Sequence, residues 1–212
     1  MTFSIVARDP DTGAFGVATA TGGPCVGALV PNIRAGVGAI ATQGDTNPYY
    51  GIDGLRLLEQ GRPATAIVDE LVMPDAGRSR RQMIAIGGAG APAMFSGNDL
   101  ENVAGMHAEK DFAVAGNMLE NEAVLREMAA AFEASSARFE DRLLAALRAA
   151  QAAGGDKRGT QSAALLIYTD TAYATFDCRV DLSPDPIDTL ANVVKLSREG
   201  EYAAFLAGRP RK

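Results

Sequence analysis

The chain has 212 residues, a formal net charge of −6, one histidine, two cysteines and no tryptophan. A single domain spanning 1–212 is expected, since at this length folding removes roughly 70% of the unfolded surface from water and a core forms without staples. The acidic balance argues against nucleic-acid binding, which needs clustered Lys and Arg. A lone imidazole argues against His-rich metal chemistry, so neither a metal nor another cofactor is expected.

No apolar run approaches the ~20 residues of a membrane helix. The opening Met1-Thr2-Phe3-Ser4-Ile5 reaches Arg8 and Asp9 without a signal-peptide core. Cys25 and Cys178 match no metal or redox spacing. Reduced thiols, a cytoplasmic location and no membrane partner follow as expectations.

In chain order, the first half reads as short apolar segments cut by glycine: 3–7, 15–20 and 37–43, the first two joined by the turn Asp9-Pro10-Asp11-Thr12-Gly13. Most are apolar at nearly every position, the pattern of strands covered on both faces. Helices are expected at 52–60, closed by Gly61, and at 64–72, opened by Pro63. Strand signals return at 82–86, 93–96 and 112–115, with His107 in a polar loop before the last of these. A second helical pair follows at 123–134 and 138–152, where Leu143, Leu144 and Leu147 make one apolar stripe and Gly154-Gly155 stops the run. Strands at 162–169 and 173–182 and a helix at 187–197 close the pattern. Strands and helices grouped in pairs suit a layered α/β domain better than a doubly wound parallel sheet.

Five segments carry chemistry. Thr2 follows the initiator methionine and, with Met1 removed, would hold a hydroxyl nucleophile and an α-amine titrating near ~8 in one residue. Threonine is also a common second residue. Gly116-Asn117 offers a backbone N–H and a side-chain amide suited to an oxyanion, though the pair by itself is more often ordinary turn chemistry. The run from Gly154 to Ser162 carries Asp156, Lys157 and Arg158 into a strand. Arg158 suits a carboxylate or phosphate and Lys157 is a point charge, while the bland reading is a solvated loop. Gln43, with Thr42, ends a strand where amide groups can line a pocket. Cys25 sits in a glycine-rich turn with no histidine near in sequence, so inert packing competes with a nucleophilic role.

Taken together, residues 2–10, 34–43, the Gly116-Asn117 segment and 154–163 resemble the bacterial and archaeal domain of unknown function numbered 1028, which is grouped with the N-terminal-nucleophile (Ntn) hydrolases. The resemblance spans nearly the whole chain and implies a four-layer αββα sandwich, with Thr2 presented in the cleft between two sheets. It makes Gly116 and Asn117 oxyanion-hole candidates, and Asp156, Lys157 and Arg158 candidates for positioning substrate. Residues 19–25 depart from the commoner pattern, which points to a specialised pocket. Fold likeness does not establish activity.

The expectation is an amidohydrolase acting on a small amide-containing molecule, with Thr2 as nucleophile after removal of Met1, in a homodimer of the kind common among such proteins. Two alternatives stand beside it. One is a noncatalytic small-molecule-binding or structural protein that keeps the fold, and the other is an enzyme dependent on Cys25.

Overall fold

The computed structural model describes residues 2–100 and 103–211. Among these residues two antiparallel sheets form. The larger has six strands in the spatial order β10 (Phe176–Val180), β9 (Ser162–Tyr168), β2 (Phe15–Thr21), β1 (Thr2–Arg8), β8 (Phe112–Leu119) and β7 (Val103–Ala108). The smaller runs β3 (Pro31–Arg34), β4 (Gly38–Gly44), β5 (Arg81–Gly87) and β6 (Ala93–Ser96). The helices are α1 (Pro48–Glu59), α2 (Ala64–Val72), α3 (Ala123–Ala134), α4 (Phe139–Ala152), α5 (Pro186–Ser197) and α6 (Gly200–Ala207). The protein is thus of mixed α+β class.

Side-chain alternation along each strand sorts the buried residues into three clusters. Phe3, Ile5, Ala18 and Leu165 of the larger sheet pack with Met128, Phe132, Leu143, Leu147 and Leu190 of α3, α4 and α5. Val6, Val17, Phe15 and Ala115, one residue out of phase, meet Ala39, Ala41, Ile84 and Ile86 of the smaller sheet. Ile40, Met83 and Ala85 turn away from that contact to pack against Tyr50, Leu55, Ile67 and Val72 of α1 and α2. Each fully buried Leu, Ile or Phe contributes roughly 1.5–3 kcal/mol, so a few per helix suffice to dock surfaces that are otherwise charged. Close packing leaves no room at Gly16, where a Cβ would lie 2.5 Å from Leu143 Cδ1.

Helices α2 and α3 run over the residues expected of them. Helix α1 begins four residues earlier than expected, because the Asn47 side chain accepts from the Tyr49 N–H at 3.1 Å and Pro48 supplies the fixed φ of a first turn. Strand β8 continues through Gly116 and Asn117 to Leu119 instead of stopping at Ala115. The expected polar loop around His107 is part of the edge strand β7, whose outer face is open and therefore carries little apolar signal. Strand β3 and helix α6 were not expected, and α6 buries none of its residues. Among the described residues no helix is long and apolar enough to cross a membrane.

Candidate active site at the polar end of the space between the sheets

The layer between the two sheets is divided along the strands. One end is the apolar cluster around Val6 and Ile84, and at the other the same inward phase of each strand carries hydroxyls and amides. Strand register builds this end as two facing rows. Across the larger sheet, Ser162 lies opposite Thr21, and Thr2 lies between Thr21 and Asn117. Across the smaller sheet, Gln43 pairs with Gln82 and Gln82 with Ser96. Ser4 and Thr19 form a second tier behind Thr2, paired with each other.

All of these but the half-buried Ser96 are buried, and most of them satisfy one another. Thr2 Oγ1 and Thr21 Oγ1 lie 3.2 Å apart, and Ser4 Oγ and Thr19 Oγ1 2.8 Å apart. Ser4 donates to Gln43 Oε1 at 2.6 Å. Gln43 Nε2 in turn donates to the Thr2 carbonyl at 3.3 Å and to Gln82 Oε1 at 2.6 Å. Gln82 Oε1 also accepts from Asn117 Nδ2 at 3.1 Å. Gln82 Nε2 donates to Ser96 Oγ and to the carbonyls of Gly105 and Gly116, each within 3.1 Å. No buried side-chain N or O among the described residues lacks a partner. Inside a protein such a network resists distortion, because any broken link leaves a desolvated polar group.

Thr2, Asn117 and Gln43, expected as site residues, therefore come together. Gln43 has no exposed surface and spends its amide on Ser4, Gln82 and the Thr2 carbonyl, so it positions the first strand. Gly116, expected in a turn, is an in-sheet residue whose α-carbon faces Leu119 on the helix side. Only its main chain reaches the site. Sequence reasoning missed Ser4, Thr19, Thr21 and Gln82. Their signal was present in retrospect, as polar residues at the inward phase of otherwise apolar strands.

The strand carrying Asn117 is distorted. Between Val103/Leu119 and Gly105/Gly116 the β7–β8 register slips, and Met118 takes φ 51°, a left-handed conformation rare for a bulky residue. This bulge ends the regular ladder one residue after Asn117. Beyond it, Leu119 bridges to Asp156 and the Glu120 N–H bonds to the Gly155 carbonyl at 3.1 Å. Asp156 is buried, accepting from the Gly22 N–H and from the Arg158 N–H at 2.9 Å, with the Arg158 guanidinium at 3.3 Å. Lys157 and Arg158 are exposed.

The model of a family described as of unknown function, DUF1028, matches residues 2–190. The chain belongs to the DUF1028 family. A crystal structure of a DUF1028 protein from Silicibacter pomeroyi is 36% identical, with a TM-score of 0.93 over 99% of this chain and 95% of that one. No curated protein matches the chain.

Other chemical groups of this DUF1028 chain lie apart from Thr2. Both cysteines are free thiols. Cys25 is exposed at φ 61° and bonds through its N–H to the Asp181 carbonyl, beyond the β10 edge. His107 stands on β7, the opposite edge, 3.2 Å from Glu109. The structure thus separates the cysteine from the imidazole it would need. Cys178 is buried, which pushes its thiol above the usual range. Among the described residues no group of His, Cys, Asp or Glu is placed to hold a metal ion.

The loop after Gln43 is anchored by Asp75, which accepts from Tyr50 Oη at 2.8 Å, Arg81 Nε at 2.6 Å, Gly77 N at 2.8 Å and Asn47 Nδ2 at 3.1 Å. Burial alone would raise the Asp75 carboxyl, but these donors outweigh it and hold the group well below the usual carboxylate range. Burial, and then donation to Asp75, pushes the Tyr50 hydroxyl above the usual phenol range. The structure gives Asn47 and Tyr50 an anchoring role.

Proposed function

We propose that this protein is an amidohydrolase of the N-terminal-nucleophile type, with Thr2 as its nucleophile. The observation that carries the reading is that the one polar end of the space between the sheets is assembled around Thr2, the second residue of the chain. Met1 lies outside the described residues, and the reading requires its removal. The three buried clusters, ordered helices, sheet, sheet, helices, support the four-layer αββα sandwich of that superfamily as one domain.

In the proposed reaction the Thr2 α-amine takes the hydroxyl proton and Oγ1 bonds to the carbonyl carbon of a small amide. The tetrahedral intermediate collapses, the C–N bond breaks, and the proton passes to the leaving amine. Water then attacks the ester, releases the acid and restores the hydroxyl. Asn117 is the directly opposed neighbour of Thr2 on the same face of an antiparallel pair, where Cβ atoms lie about 5 Å apart. One of its Nδ2 hydrogens goes to Gln82 and the other serves the oxyanion, beside the Gly116 amide. Thr21 sits beside the nucleophile, and Lys157 and Arg158 supply positive charge at the rim for an anionic substrate group.

The test begins with the intact mass of tag-free protein, followed by a screen of small amides against the Thr2→Val variant. Loss of one methionine, with turnover abolished in Thr2→Val while folding is retained, supports the reading. Uniform retention of Met1, or undiminished turnover by the variant, overturns it.

A further inference from the structure

We propose that Asp156 is the counter-ion of the Thr2 α-ammonium in the chain that begins at Thr2, so that the loop after α4 forms a receptor for the protein's own free N-terminus. The proposal deepens the Thr2 reading and rests on it for the removal of Met1.

The argument comes from register. Strand β1 is flanked by β2 and β8, and Thr2 pairs with Asn117 on one side while its Oγ1 lies 3.2 Å from Thr21 Oγ1 on the other. Counted onward along β8, the residue opposite Leu119 would lie two places before Thr2. That place is taken by Asp156, which forms an antiparallel bridge with Leu119. The β2 side agrees. In an antiparallel strand the N–H and C=O of one residue point to the same neighbour, and the direction alternates residue by residue. The Thr21 carbonyl accepts from the Gln161 N–H at 2.8 Å, on the β9 side. The Gly22 N–H therefore points to the β1 side, and there it meets Asp156 Oδ2. The β8 side thus places the Asp156 main chain in the lane of β1, two places ahead of Thr2, and the Gly22 N–H beyond β2 holds its carboxylate there.

A carboxylate in that place is a partner for a primary ammonium. Gly22 is required there, since a Cβ would lie 2.6 Å from Asp156 Oδ1. The ion pair would orient the amine beside Oγ1 and hold its proton until the pH rises. The ionisable groups on the segments around this end are Asp156, Lys157 and Arg158 of the loop, Cys25 after β2, Glu120 after β8, Asp45 after β4, and Arg80 and Arg81 at the start of β5. Lys157 and Arg158 oppose the effect of Asp156, so the sign of the net shift is itself informative.

The experiment uses full-length protein released from a cleavable fusion so that it starts at Thr2, labelled with 13C-threonine. The Thr2 carbon shifts are followed against pH by NMR in the parent and in Asp156→Asn. The amine midpoint is expected to fall in Asp156→Asn by about one pH unit or more, the usual effect of losing an opposite charge at close range. Equal midpoints overturn the proposal. A crystal structure of the Thr2-start parent serves if the variant does not fold: an amine within hydrogen-bond distance of Asp156 is expected, and an amine turned elsewhere overturns the assignment. Absence of turnover with a shifted midpoint would defeat the hydrolase reading and leave the ion pair standing.

Discussion

The side-chain amide of Gln82 donates to the main-chain carbonyl of Gly116 at 3.0 Å, a bond that crosses from the smaller sheet to the larger. Gln82 is the hub of the buried network, and Gln82→Leu leaves Gln43, Asn117 and the Gly105 and Gly116 carbonyls short of a partner. Each orphaned group costs about 1–3 kcal/mol. A loss of at least about 4 kcal/mol is expected in urea unfolding, summed over these groups. A loss under about 1 kcal/mol would show that the network relaxes onto water.

Asn117→Ala removes the proposed oxyanion donor from beside Thr2. Turnover is expected to drop by about 10²–10³ with a smaller effect on KM, the behaviour of a group that acts in the transition state. Steady-state kinetics on an amide found in the screen checks it. A change in KM alone would assign Asn117 to substrate binding.

Gly22 and Gly23 are adjacent, yet they should respond oppositely to alanine. At Gly22 the new methyl collides with the Asp156 carboxylate, whereas at Gly23 nothing lies within 4 Å of it. Gly22→Ala is expected to cost about 2 kcal/mol through overpacking. Gly23→Ala should fall within about 0.5 kcal/mol of the parent. Paired thermal melts separate the two.

Met118 holds φ 51° at the bulge. A left-handed conformation costs an ordinary residue roughly 1–2 kcal/mol. Met118→Gly is therefore expected to be neutral or mildly stabilising in denaturant titrations, where glycine elsewhere in a strand destabilises by roughly 0.5–1 kcal/mol. A clear destabilisation would mean that Met118 packing outweighs the strain.

Asp75 ties α1 to the segment before β5, and its depressed acidity fixes the sign of its pH dependence. Its pairing contributes stability above the unfolded carboxyl value of about 4, and that contribution is lost as the pH falls through the folded value. Asp75→Asn is expected to cost about 2 kcal/mol near neutrality. The gap to the parent should close progressively as unfolding is measured at pH values below about 4.

Much of the frame was legible because apolar runs between glycines mark strands buried on both faces. Helix α2 was legible because Pro63 marks its start, and α3 because its run of Ala, Leu, Glu and Arg is a local helix signal. Of the candidate site, Thr2, Gln43 and Asn117 were legible. Gln82 looked like the first residue of an apolar strand, and only the facing of two sheets makes it a hub. Residues 116–119 misled because glycine followed by asparagine is turn chemistry, and the bulge that keeps them in the sheet depends on β7, whose Gly105 and exposed His107 give no strand pattern. The place of Asp156 in the lane of β1 depends on pairing partners more than thirty residues away on one side and more than a hundred on the other.

The two ends of the chain tolerate additions unequally. Helix α6 has no fully buried residue, and the segment after it is tied only at the surface, Arg209 to the Ala174 carbonyl, Pro210 to Tyr173 and Arg211 to Asp170, so a purification handle belongs beyond that segment. A handle placed ahead of Thr2 must leave the sheet past the carboxylate that stands in its path. On the proposed reading such a handle also blocks the Thr2 amine, so activity assays call for protein that starts at Thr2.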